Sequence, residues 1–197
     1  ALINPIGIIP TYIGLVSDYN PQQQKQITYR AVLCAFIVLM TFSIMGTLIF
    51  NFFGITMDAF KIVGGILFMR IGLDMVESKI SRTKSTPKEE KEAETKEEIA
   101  YSPLGVPLIA GPGAITSVMI LSNQVSNLDE KVLFVLSIMI CMILTYIILM
   151  MGNKVSKKIG TTGIRIIQRL MGIILMVIAV QFIIDGITPI IYDWTYH

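Results

Sequence analysis

Two stretches decide the fold of this chain: Asn4-Pro5-Ile6-Gly7-Ile8-Ile9-Pro10 near its start and Ala110-Gly111-Pro112-Gly113-Ala114-Ile115-Thr116 in its second half. Both place proline and glycine inside apolar sequence. Because proline removes a backbone donor and glycine loosens the chain, each stretch predicts an interrupted helix. A membrane tolerates such breaks where the freed backbone groups are buried in protein or line a cavity. Paired breaks in corresponding halves indicate a transporter binding site.

The composition is that of an integral membrane protein. Of 197 residues, 53% are hydrophobic and 15% are charged, and the mean hydropathy is +0.69. A scattered net charge of +2 predicts no nucleic-acid partner. The one histidine is His197, and Cys-x-x-Cys and phosphate-loop motifs are absent from the sequence. We therefore expect no metal site, no cofactor, no catalytic residues and no direct coupling to ATP.

Six apolar segments predict an all-α membrane protein with six transmembrane helices, since each approaches the length that spans a bilayer. They cover residues 1–17, 31–53, 59–76, 103–123, 132–152 and 166–187. The first segment is short, and its break comes almost at once. We therefore expect that an N-terminal segment is missing before it.

A charged segment separates three predicted spans from the other three. Residues 77–98 contain six Lys or Arg and seven Glu, too polar to fold alone. The predicted organisation is a transmembrane repeat over 1–76, a charged linker over 77–100 and a second repeat over 101–197. Basic residues collect on the linker's side of the membrane, which predicts a multi-pass protein of the cell (inner or plasma) membrane with a cytoplasmic linker and both termini outside.

The two halves align with each other at a shift of 107 residues. This shift places Pro5 on Pro112, Cys34 on Cys141 and Gly65 on Gly172, and Gly54 matches Gly160 at one residue less. Because three spans per repeat is an odd number, the second copy must be inverted. The sequence thus predicts two inverted three-helix repeats, whose broken first and fourth helices meet near the membrane midplane.

The breaks themselves indicate the ligand. A half-helix begins with free amides that suit a carboxylate, and the half before it ends with free carbonyls that suit an ammonium group. Residues 1–16 and 104–123 contain no charged side chain, which favours a small net-neutral zwitterion such as a neutral amino acid. The substrate-binding residues expected from the breaks and nearby polar groups are Asn4, Pro5, Gly7, Gly111, Pro112, Gly113, Thr116 and Ser117.

Two further polar residues within spans are candidates for coupling or gating. Asp74 aligns with Gln181 at the shift of 107, and Arg70 precedes Asp74 by one helical turn. A polar or ionisable residue in a membrane helix is a functional hypothesis, and a coupling proton or sodium ion would act there. An ion pair with Arg70, or snorkelling to the interface, is the structural alternative. Four other glycines are interpreted as close packing points between helices: Gly64, Gly65, Gly72 and Gly172.

The two proline and glycine motifs, together with Gly64-Gly65-Ile66, resemble the MarC family over essentially the whole chain. The resemblance implies a six-span inner-membrane protein and, because the family includes an archaeal small neutral amino acid transporter, an expectation of transport. Its motifs carry over to Asn4, Pro5, Gly7 and Pro10 and to the run Gly111–Ala114. Pro10 and Ala114 enter the predicted site by this route.

The leading hypothesis is therefore a secondary transporter of small neutral amino acids that works by alternating access. A channel or a non-transporting scaffold remains the alternative. An intramembrane enzyme is less favoured, because Ile71-Gly72-Leu73-Asp74 matches an aspartyl-protease motif only in part and has no second membrane aspartate as partner. The oligomeric state stays open.

Overall fold

The structure is a computed structural model that describes residues 1–77 and 96–196, and within these ranges it is helical and contains no strand. This confirms the all-α prediction. Most of the predicted linker, residues 78–95, lies outside the described residues. The elements are α1 (Pro5–Val16), α2 (Pro21–Phe53), α3 (Met57–Val76), α4 (Lys96–Ile99), a π-helical segment (Ala100–Ile109), α5 (Pro112–Gln124), α6 (Leu128–Met150) and α7 (Gly152–Tyr196).

Prolines begin three of these helices. Pro5, Pro21 and Pro112 lie in the first turns of α1, α2 and α5, where the missing N–H would have had no partner. α2 begins at Pro21, well before the predicted start at 31, because Asn20 forms a capping box with Gln23. Its first turns are polar, so hydropathy alone does not detect them.

The fourth predicted helix is broken at Gly111-Pro112. The segment Ala100–Ile109 and α5 meet at an angle of 59°. Inside the segment, Ser102 and Val106 have extended backbones, with φ of −138° and −133°. Each of them precedes a proline, which disfavours helical angles in the residue before it. The half before the break is therefore more irregular than the half after it.

Among the described residues, three helical stretches are long and apolar enough to cross a membrane: Pro21–Gly46, Leu128–Met150 and Gly152–Tyr192. The bent pair Ala100–Ile109 and Pro112–Gln124 makes a fourth if it counts as one span. α1 has only 12 residues, and α3 carries four charged residues within 20. The structure is thus that of an integral membrane protein with three to four candidate spans, and six spans remain a prediction.

Glycines allow α3 and α7 to pack with their backbones in contact. A Cβ atom added to Gly65 would lie 2.6 Å from the carbonyl oxygen of Ala179, and one added to Gly186 would lie 2.6 Å from that of Asp58. Residues later in α3 contact residues earlier in α7: Asp58 contacts Gly186, Gly65 contacts Ala179 and Gly72 contacts Gly172. The two helices are therefore antiparallel. We call Gly65, Gly72, Gly172 and Gly186 the glycine seam. The close-packing interpretation of Gly65, Gly72 and Gly172 is confirmed.

The contacts of the glycine seam come in a related pair. A Cβ atom added to Gly172 would lie 2.7 Å from the carbonyl oxygen of Gly72. The shift of 107 residues places Gly65 on Gly172, and the reverse shift places Ala179 on Gly72. The contact of Gly65 with Ala179 is therefore the counterpart of this one. The two matched glycines outside the seam also agree, because Gly54 and Gly160 both have positive φ, of 64° and 70°, where the chain leaves one helical stretch for the next.

The largest buried cluster joins the remaining elements. Tyr12 of α1, Leu39 of α2, Leu104 and Ile109 before the break and Leu149 of α6 belong to it. The outer faces of α2, α6 and α7 expose many large apolar side chains. Such faces are expected where helices meet lipid tails instead of water.

Candidate functional site: two helix starts

The structure brings the two predicted breaks together. Leu2 lies just before the first break, and a Cβ atom added to Gly113 would lie 3.1 Å from Leu2 Cδ2. The same atom would lie 2.9 Å from Ile71 Cδ1 of α3. The start of α5 therefore packs against the residues that lead into α1, with α3 alongside. The absence of a side chain at Gly113 permits this approach.

Asn4 caps the start of α1. It is buried, with 7% exposure, and its φ of 48° places it in the left-handed region that asparagine tolerates better than most residues. The Gly7 N–H donates a hydrogen bond to Asn4 Oδ1 at 3.3 Å. One of the amides that a helix start leaves without a partner is therefore satisfied by the protein itself.

Gln168 of α7 is a second partner of the α1 start. Its Nε2 donates a hydrogen bond to the carbonyl oxygen of Gly7 at 3.0 Å. A Cβ atom added to Gly7 would meet the amide groups of both Asn4 and Gln168. The space beside Gly7, a residue that the sequence predicts to bind the substrate, is thus filled by these two side chains.

Sequence reasoning missed Gln168. The residue lies between Arg165 and Arg169 at the start of the predicted span 166–187, and 161 positions separate it from Gly7. The available signal was an amide side chain on a largely apolar helix, since such groups hydrogen-bond between membrane helices.

The start of α5 has no side-chain cap. Gly111 occupies the capping position with extended backbone, φ −75° and ψ 168°. A Cβ atom added there would lie 2.8 Å from the carbonyl oxygen of Pro107, so a capping side chain is excluded. The Ile115 N–H donates a hydrogen bond to the Gly111 carbonyl oxygen at 3.0 Å. The amides of Gly113 and Ala114 lie in the first turn, where a helix has no carbonyl group four residues earlier to accept from them. Both residues are buried.

The remaining substrate-binding candidates surround these two starts. Thr116 is half-buried, and its Cγ2 would lie 2.8 Å from a Cβ atom added to Gly64 of α3. Ser117 is also half-buried, and Pro10 is exposed within α1. The packing interpretation of Gly64 is confirmed, and the methyl group of Thr116 is the part of that side chain that faces α3.

The two coupling candidates lie on α3 and α7, away from the breaks in sequence. Asp74 is half-buried and follows Ile71, which contacts the α5 start, by about one turn. Gln181 is exposed, and its Nε2 donates a hydrogen bond to Asp185 Oδ1 at 2.7 Å. In the described part of the chain, no group of three or more His, Cys, Asp or Glu side chains is placed to hold a metal ion.

Comparisons with known proteins agree over the whole chain. Residues 1–191 match the family model described as MarC family integral membrane protein. The chain is 41% identical over 191 residues to a UPF0056 membrane protein of Methanocaldococcus jannaschii, covering 95% of this chain and 91% of that relative. Identity is 34% to UPF0056 membrane protein YvbG of Bacillus subtilis (97% and 92% covered) and 33% to UPF0056 membrane protein YhcE of Escherichia coli (96% and 88% covered). No solved structure matches.

Proposed function

The chain belongs to the MarC family of integral membrane proteins, and on this premise we propose that it is a secondary transporter of small neutral amino acids. In this proposal six spans form two inverted three-helix repeats in the cell membrane, with the linker cytoplasmic and both termini outside. Alternating access exposes one site between the first and fourth spans to each side in turn.

Helix direction supports the inverted arrangement. α3 and α7 are the third spans of the two proposed repeats, and they pack antiparallel along the glycine seam. Gly65 contacts Ala179, and the residues that correspond to them in the other half, Gly172 and Gly72, also contact each other. Repeats of opposite orientation, related by an axis in the membrane plane, would produce such reciprocal antiparallel contacts.

The observation that carries the proposed substrate is the uncapped, buried start of α5 beside the α1 start. Amides of Gly113 and Ala114 offer partial positive charge to a carboxylate. No charged side chain lies within 1–16 or 104–123. A ligand with full net charge would thus lack a counter-ion, whereas a zwitterion brings its own. Thr116 and Ser117 add hydroxyl groups for specificity, and Asp74 and Gln181 are assigned to coupling with a proton or sodium ion.

Transport by purified protein tests the proposal. The full chain, reconstituted into proteoliposomes, is expected to take up labelled glycine or alanine with saturable kinetics under an imposed proton or sodium gradient. Uptake that never exceeds the external concentration would favour a channel. No saturable uptake under any gradient would contradict the proposal.

Gly113 gives the site-specific form of this test. Gly113→Leu is expected to abolish uptake, because the added side chain fills the space between the α5 start and Leu2. The protein should still fold, since the atoms nearest the added Cβ are ends of flexible side chains. Gly14→Leu is the matched control, because a Cβ atom there meets nothing within 4 Å. If Gly113→Leu transports with unchanged KM, the breaks do not form the site.

A further inference from the structure

Two apolar grooves lie on neighbouring sides of α2. The first, of about 340 Å³, lies between α2 and α6 and extends along Tyr29 and Phe36 on one wall and Met139 and Tyr146 on the other. The second, of about 210 Å³, is lined by Arg30, Cys34 and Val38 of α2 and by Tyr101. Leu33 lines both grooves and forms the ridge between them.

Basic and aromatic side chains gather at one end of this pair. Tyr29 and Arg30 are the first α2 residues of the two grooves, and Lys25 precedes Tyr29 by one turn on the same helix face. From this end the first groove continues to Phe36, about 10 Å along the helix axis. Each groove is thus apolar along its length and meets positive charge at the start of α2.

The position of that end agrees with a membrane interface. Tyrosine is enriched where a span meets the headgroups, and Lys and Arg gather at the cytoplasmic surface, which carries anionic lipids. The proposed topology places Lys25 and Arg30 on that side. Exposed Tyr29 and Tyr101, 58% and 50% accessible, line the first and the second groove respectively.

We propose that the two grooves bind one anionic phospholipid, with its two acyl chains on either side of Leu33 and its phosphate beside Lys25 and Arg30. The two apolar grooves with a shared ridge match the two chains, and the single basic end matches the one charged headgroup. The site is separate from the helix starts at Asn4 and Gly111, so it does not depend on the transported substrate, and it rests on the proposed topology only for the cytoplasmic side of its basic end.

Native mass spectrometry of the full chain in detergent tests the site with phosphatidylglycerol and phosphatidylcholine of identical acyl chains. Phosphatidylglycerol is expected to bind more tightly, by about fivefold for each basic residue that faces it. The double variant Lys25→Gln, Arg30→Gln should bind the two lipids equally. Lys131→Gln, at the opposite end of α6, is the matched control and should retain the preference. Equal binding of both lipids by the unaltered chain would overturn the proposal.

Blocking the ridge tests the acyl chains. Leu33→Trp should reduce binding of both lipids, whereas Leu133→Trp, on an exposed part of α6 that lines neither groove, should not. A lipid-free dimer that Leu33→Trp dissociates would assign the grooves to a second copy and overturn the proposal.

A measurement on the unaltered chain covers the case in which Leu33→Trp fails to fold. Phosphatidylglycerol with a photoreactive acyl chain should label peptides that contain Leu33 or Met142, both of which line the first groove. Labelling spread evenly over the exposed face of α7 would also overturn the proposal.

Discussion

The starts of α1 and α5 share a proline in the first helical turn and differ in the residue before it. The Asn4 side chain caps the start of α1, and Gln168 of α7 donates a hydrogen bond to the Gly7 carbonyl oxygen. Gly111 provides no capping side chain for α5, because a Cβ atom at this position would lie 2.8 Å from the Pro107 carbonyl oxygen. Two related stretches thus have different chemistry. A protein side chain accepts a hydrogen bond from an amide at the start of α1, whereas the start of α5 retains amides that a bound carboxylate would satisfy.

The glycine seam is the opposite case, because there the two halves are alike. Gly65 and Gly172 each face a backbone carbonyl of the other helix at nearly the same distance, 2.6 and 2.7 Å from an added Cβ atom. The packing of α3 against α7 is therefore equivalent in the two halves, whereas the helix starts of the two halves differ in their capping. The experiments below test this contrast, from the largest expected effect to the smallest.

Substitutions in the seam should have the largest effect. Gly65→Leu and Gly172→Leu are each expected to destabilise the protein by about 3 kcal/mol or more, since overpacking against backbone cannot be relieved by a rotamer change. Thermal unfolding in detergent, followed by size-exclusion chromatography, measures the loss. The two variants should behave alike. If one position tolerates leucine, the halves are not equivalent in packing.

Gln168→Leu should have an intermediate effect. It removes the hydrogen bond to the Gly7 carbonyl and is expected to cost about 1 kcal/mol. Gln181→Leu is the matched change on the same helix, and it should cost about 0.5 kcal/mol or less because its bond to Asp185 is local and exposed. Unfolding midpoints of the two variants give the comparison. Equal midpoints would show that the contact between α7 and the α1 start contributes nothing measurable.

Asn4→Gly tests the cap and has the smallest expected effect of these changes, with Asn4→Ala as its comparison. Asn4→Ala loses the cap and keeps a Cβ atom at positive φ without the polar side chain that makes this region tolerable for asparagine, so we expect a cost of about 1–2 kcal/mol. Asn4→Gly relieves the backbone and should cost only a few tenths of a kcal/mol. The unfolding midpoint of Asn4→Gly should thus lie between those of Asn4→Ala and the unaltered chain. The reverse order would refute the capping role.

The sequence predicted what depends on local rules. Pro5 and Pro112 mark helix starts because a missing N–H is tolerated only there, and glycines in apolar helices indicated the close packing of α3 and α7. The irregular backbone before the second break also follows a local rule, since Ser102 and Val106 precede prolines. The prediction for the span over residues 103–123 nevertheless placed a break only around Gly111-Pro112.

Tertiary contacts were beyond the sequence. No spacing rule connects Gln168 with Gly7, which lie 161 positions apart. Gly7 and Gly113 both follow a helix-starting proline closely in sequence, yet Gly7 is packed by polar amides and Gly113 by apolar side chains. Which neighbours fill the space beside a glycine depends on how distant helices pack.

The glycine seam also limits how the molecule can move. Backbones in direct contact at Gly65, Gly72, Gly172 and Gly186 cannot slide past each other without steric clash, so we expect α3 and α7 to behave as one rigid body. α1 and α5 meet this pair through side chains such as Leu2 and Ile71, which can change rotamer. The mechanical compliance of the protein would then reside in α1 and α5, with the α3–α7 pair as the fixed frame against which they rock.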